Sequence, residues 1–151
     1  RRRGRHKSRG TGVTMGGGVE PEAVDAERGL GKLRQKIADG ADVIMTQPAF
    51  RREPLGALAP FRSETAMLLG VMILTGLDHA RRVAQIPGVV IPDEIYERLG
   101  AHEKVEDQAK VGREIAAEQI HQIREEGWAG LYLMSPGSHE PVLEVLRAGL
   151  S

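Results

Sequence analysis

The stretch Lys36-Ile-Ala-Asp-Gly-Ala-Asp-Val-Ile-Met-Thr-Gln-Pro-Ala-Phe50 decides how the chain is read. A helix ending near Asp39 gives way to a turn at Gly40, and Val43-Ile44-Met45 then reads as a short apolar strand. Pro48 stops that strand and leaves Thr46 and Gln47 at its C-terminal end. A continuous apolar run, entered from a helix and left through a proline, predicts a buried parallel strand, because consecutive apolar residues suit a sheet covered on both faces. In α/β proteins chemistry gathers at the carboxyl ends of such strands. Gln47 brings there an uncharged side chain that both donates and accepts, which suits an amide-rich heterocycle.

Upstream, Leu30, Leu33 and Ile37 recur at helical spacing between Ala26 and Ala38, with Lys32, Arg34, Gln35 and Lys36 on most of the remaining faces. Gly29 and Gly31 weaken this helix by about 1 kcal/mol each relative to alanine. Before it, Thr11 to Met15 predicts a strand, Gly16-Gly17-Gly18 a flexible loop, and Glu20-Pro21-Glu22-Ala23 a helix start. The glycine loop lacks both the Lys-Ser/Thr of a P-loop and the spacing of a dinucleotide fingerprint.

Downstream, Leu55 to Met67 predicts a poorly patterned helix interrupted at Pro60. Leu68 to Leu74 predicts a second buried strand ending at Thr75-Gly76, and Leu77 to Gln85 a helix. Ile86-Pro87-Gly88-Val89-Val90-Ile91-Pro92 is an extended crossing segment, after which Asp93 is expected to cap a short helix, Glu94 to Leu99. The strongest amphipathic stripe (Val105, Ala109, Gly112, Ile115, Ala116, Ile120, Ile123) lies within residues 103–126, with Gly127 ending the helix. Gly130 to Met134 is a last strand, Ser135-Pro136-Gly137-Ser138 a turn, and His139 to Leu146 a closing helix. Met45, Met72 and Met134 are expected at matching depths in three strands. This alternation argues a parallel sheet with helical crossovers, hence α/β. Four βα units fit half of an eight-stranded barrel, which normally takes about 250 residues, or a small open doubly wound sheet. The pattern by itself leaves both open.

The 151 residues suffice for one domain with a real core. There is no cysteine, which excludes disulfides, thiolate metal sites and cysteine nucleophiles and is compatible with a cytoplasmic location. No apolar run approaches the ~18–20 residues of a membrane span. The formal net charge is zero, yet Arg1, Arg2, Arg3, Arg5, Lys7 and Arg9 stand in the first ten residues with no acid among them. Residues 1–10 are therefore read as a disordered basic leader and residues 11–151 as the folded domain. Aromatics make up 3% of the chain, which argues against a stacking platform for nucleic acid.

The five histidines show no metal-ligand spacing. His79 stands out because it falls in the first turn of a helix just beyond a strand end, where the helix dipole would favour the neutral imidazole. Ser135 and Ser138 border a turn at another strand end, without the pattern of a nucleophile elbow.

Lys36 to Phe50, with Gly-Ala-Asp followed by Thr-Gln-Pro, resembles the corresponding stretch of the methylenetetrahydrofolate reductases. Pro87-Gly88-Val89-Val90-Ile91-Pro92-Asp93, the helix through Ile115-Ala116 and Glu118-Gln119-Ile120, and Gly130 to Gly137 are similar to that family as well, in the same order. The resemblance implies a (β/α)8 TIM-barrel-type fold, of which this chain carries the C-terminal half, strands five to eight. It implies an oxidoreductase of one-carbon metabolism and methionine biosynthesis, reducing 5,10-methylenetetrahydrofolate to 5-methyltetrahydrofolate with FAD and NAD(P)H. By position, Gln47, His79 and Ser138 would face the folate, and Lys36, Ala23 and Glu20 the flavin. His79 stands where some members have glutamine, and Ser138 where some have arginine. The family's catalytic glutamate comes from the first four strands, so the resemblance places no catalytic residue here. A second chain or copy completing the barrel is one expectation. The alternative is a non-catalytic folate- or flavin-binding or assembly subunit.

Overall fold

The computed structural model describes residues 16–20 and 26–151. Its centre is a four-stranded sheet, β1 (Gly16–Val19), β2 (Val43–Pro48), β3 (Ala66–Met72) and β4 (Gly130–Met134). The strands lie in chain order and every pairing is parallel. Parallel neighbours cannot be joined by a hairpin, so each connection carries helix. Helix α1 (Ala26–Ala38) joins β1 to β2, and α2 (Glu53–Gly56) with a 3-10 turn (Ala59–Ser63) joins β2 to β3. Helices α3 (Leu77–Val83), α4 (Asp93–Gly100) and α5 (Val105–Glu125) lie between β3 and β4, and α6 (Glu140–Leu150) closes the chain.

Side-chain burial shows which face these helices cover. Ile44 of β2 and Met67, Leu69 and Val71 of β3 are buried in one core with Leu33, Leu55, Phe61, Ile120 and Val145, and Thr46 of β2 is buried on the same face. The alternate positions differ: Met45 is 37% exposed, and Leu68, Met72 and Tyr132 are half-buried. Strand residues two apart share a face, so one face is packed under helices and the other stands open around Met45. A second core, formed by Phe50, Leu74, Ile91, Ile95, Leu99 and Ile115, joins α3 and α4 to the first half of α5.

Two glycines bring α5 close to its neighbours. A Cβ on Gly112 would lie 1.8 Å from the Leu74 carbonyl oxygen, and one on Gly149 2.6 Å from Cβ of Ile120. Polar contacts fix the periphery. Arg98 forks onto Glu118 at 2.7 and 2.8 Å, joining α4 to α5. Arg52 holds the Glu126 carboxylate, which also accepts from Trp128 Nε1 at 2.7 Å, while Arg62 lies 4.6 Å over the Trp128 ring.

Several expectations change. Gly16-Gly17-Gly18 is a strand and not a loop: pairing with Val43, Ile44 and Met45 supplies the backbone partners that glycine's weak strand preference does not. The expected strand from Thr11 to Met15 lies outside the described residues. Leu55 to Met67 is a short helix and a 3-10 turn, and β3 starts at Ala66, two residues early. Asp93 does not cap α4: Pro92 holds the N-cap position and Asp93 is in the first turn. Val105 is 65% exposed and leaves the apolar stripe. Met72 pairs with Met134, but Met45 pairs with Leu68, so the three methionines do not share one level. The single-faced burial of β2 also departs from the two-sided cover its apolar run suggested.

Gly112→Ala should lower unfolding stability by about 3 kcal/mol, since neither the α5 backbone nor the Leu74 carbonyl can yield cheaply. Gly56→Ala, also helical but with open space around it, serves as the clash-free control and should keep stability or raise it by up to about 1 kcal/mol. Urea unfolding midpoints of the two variants measure the difference.

Candidate functional site

A cavity of about 630 Å³ opens beyond the carboxyl ends of β1 and β2. Gly18, Val19 and Glu20 form one side, α1 another, and Met45, Thr46, Gln47 and Tyr132 the floor. From α1 come Arg28, Lys32 and Lys36, spaced i, i+4 and i+8 and hence stacked along one face of the helix. Lys36 reaches across to donate its ammonium to the Gly18 carbonyl. An ammonium has three donors, so two remain for another acceptor. Glycines in β1 keep this wall thin: a Cβ on Gly17 would meet the Lys36 stem at 3.3 Å. On the other side of the strand, Gly16 and Gly18 leave bare backbone.

Gln47 owes its position to an irregularity in the sheet. Met45 pairs with Leu68 and Pro48 with Gly70, so β2 spends one residue more than β3 between those pairs. Such a bulge re-aims side chains at strand ends. The Thr46 hydroxyl fills the resulting gap, accepting from the Gly70 N–H at 2.9 Å and donating to the Gln47 carbonyl at 2.8 Å. The ladder resumes where Ala49 N–H donates to Gly70 at 3.3 Å. Gly70 must lack a side chain, since a Cβ would lie 2.7 Å from the Thr46 carbonyl oxygen. Gln47 Oε1 is buried with no hydrogen-bond partner among the described residues. Gly88, at φ +79°, carries the crossing segment past it.

Of the residues singled out in sequence, Gln47, Lys36 and Glu20 meet at this cavity. Ala23 lies outside the described residues. His79 and Ser138 are not among the cavity's lining residues. Ser138 is exposed on the turn after β4. The His79 Nδ1 accepts the Thr75 N–H at 3.1 Å, while Gln108 caps the next turn by accepting from Leu77 N–H at 3.0 Å. Burial, with the Arg82 charge second, lowers the His79 pKa. The helix-dipole cause expected from sequence is not needed, and the neutral ring is the form that can accept at Nδ1. Arg28, Lys32 and Tyr132 were not singled out. The i, i+4, i+8 spacing of the three cations was available as a signal, whereas Tyr132 becomes visible only through strand register. Among the described residues no group of His, Asp or Glu is arranged to hold a metal, and no helix is long and apolar enough to cross a membrane.

The lowered His79 pKa has a definite sign. The unfolded chain binds a proton near the ordinary value of about 6.5 while the folded chain resists it, so the stability His79 contributes is present above that pH and is lost as pH falls below it. The urea midpoint of wild type minus that of His79→Gln should therefore shrink as pH is lowered from about 7.5 to about 5.

No curated protein matches the chain. Among solved structures, the fold is similar to an uncharacterized protein from Clostridium thermocellum that binds two copies of 5-methyl-5,6,7,8-tetrahydrofolic acid. The TM-score is 0.58 at 15% identity, covering 91% of this chain and 52% of that one. The chain thus spans about half the length of that structure, and the likeness is one of fold. A sequence model of the methylenetetrahydrofolate reductases matches residues 11–148, which covers every described strand and the cavity between them, and the chain belongs to that family.

Proposed function

We propose that the chain supplies folate- and flavin-facing strand ends of a methylenetetrahydrofolate reductase-type oxidoreductase, one that forms 5-methyltetrahydrofolate from 5,10-methylenetetrahydrofolate. The observation that carries this reading is convergence. Gln47, Lys36 and Glu20, from three successive parts of one strand-helix-strand unit, line one cavity at the ends of parallel strands. Gln47 has the donor and acceptor atoms that a pterin's amide edge requires, and its buried Oε1 lacks a partner among the described residues.

On this reading the cavity's α1 wall is the part that would hold FAD. Arg28, Lys32 and Lys36 offer a row of positive charge to phosphate oxygens. Bound there, FAD would supply the hydride relay from NAD(P)H. The chain's own part is to bind and orient: Lys36 and its neighbours hold anionic oxygens, and Gln47 fixes the plane and register of the folate ring. No residue of this chain is assigned to acid–base work. The open face of the sheet and the singly paired edges of β1 and β4 favour closure by further strands, from a second chain or copy or from another segment.

A second reading, a non-catalytic folate- or flavin-binding or assembly subunit, rests on the same cavity, whose lysines and amide suit binding without turnover. Colour and turnover separate the two. Purified protein that is yellow and bleaches with NAD(P)H supports the reductase, and colourless protein that binds 5-methyltetrahydrofolate supports the subunit. In either case Gln47→Ala should weaken folate binding about tenfold by calorimetry, the worth of a hydrogen-bonded ring edge. Lys32→Glu combined with Lys36→Glu should weaken FAD binding by at least about tenfold and leave folate affinity nearly unchanged. Folate affinity untouched by Gln47→Ala would remove the basis of the assignment.

A further inference from the structure

We infer that Tyr132 is a positioning residue that aims Gln47 from two strands away. Tyr132 stands on β4 directly opposite Gly70 of β3, and Gly70 stands opposite Pro48 of β2. Because Gly70 has no side chain, the phenol lies across β3 and donates its hydroxyl to the Thr46 carbonyl. That carbonyl belongs to the peptide plane on the N-terminal side of the Gln47 Cα. The plane on the C-terminal side is held by the Thr46 hydroxyl, which donates to the Gln47 carbonyl.

A residue has two soft backbone dihedrals, and fixing both flanking peptide planes fixes both. Gln47 sits in a bulge, where the ladder cannot do this work, so side chains do it. Tyr132 is half-buried and burial raises its pKa, so its hydroxyl stays protonated and remains a donor. Its ring also floors the cavity beside Met45 and Gln47. The hydroxyl therefore acts on the ligand through Gln47, and the ring by contact.

The inference rests on the proposed folate site only for its ligand arm, and the test is built to separate the two. Tyr132→Phe removes the hydroxyl and keeps the ring. In the chain of residues 1–151 without ligand, the Gln47 side-chain amide signals in a 15N-resolved NMR spectrum should shift and broaden. Those of the exposed Gln122 should stay in place. Affinity for 5-methyltetrahydrofolate should fall about fivefold in Tyr132→Phe, the worth of one net hydrogen bond. In a Gln47→Ala background the same substitution should cost almost nothing, because the amide to be aimed is gone. Unchanged Gln47 signals, or equal losses of affinity with and without the Gln47 amide, would overturn the assignment. A wild-type chain that fails to bind 5-methyltetrahydrofolate counts against the proposed function, while the NMR comparison still decides the role of Tyr132.

Discussion

Parallel strands taken in chain order force every connection to travel the length of the sheet, and here the crossovers bury one face of it. Ile44, Met67, Leu69 and Val71 lie under helices, while Met45 on the alternate set meets solvent. Burying a leucine- or methionine-sized side chain contributes roughly 1.5–3 kcal/mol, so the covered face dominates the cohesion of the described residues. The other face carries Met45, Leu68 and Tyr132, and the cavity opens at the strand ends between Met45, Tyr132 and α1, whose Leu33 belongs to the core.

Within that frame the placement of the site is a matter of backbone detail. Gly70 and the Thr46 hydroxyl accommodate one surplus residue in β2, and Gln47 is the residue that the accommodation leaves against the cavity. Removing the side chain at position 70 serves two ends: it lets the bulge form, and it clears the path for Tyr132. The cationic row of α1 faces the same space from the opposite side, so the cavity presents charge on one wall and an amide on its floor.

Much of the architecture was legible in the sequence because it follows from local rules. The helix through Leu30, Leu33 and Ile37, the strand at Val43 and the long helix ended by Gly127 declare themselves by periodicity and by glycine or proline punctuation. The glycine strand did not, because glycine carries no strand preference and β1 exists through its pairing with β2. Asp93 misled because a proline before a helix can occupy the N-cap position without any side-chain bond. At the site, residue types pointed to Gln47 and Lys36. Tyr132 and Gly70 escaped notice because their importance is a fact of cross-strand register, which no local pattern encodes.

The clasp of Arg52, Glu126, Arg62 and Trp128 bears on the order in which the molecule assembles. Gly16 pairs with Val43 and Val43 with Ala66 after short crossovers, whereas Leu68 waits for Gly130, roughly 60 residues later. Closing the longer loop costs only about 1 kcal/mol more than closing a shorter one, so the late strand is hardly less stable once in place. Its arrival is nonetheless the slow, non-local event in the folding of this sheet. Joining position 52 to position 126, the clasp seats the turn that launches β4, and so serves as a latch on the last segment to dock.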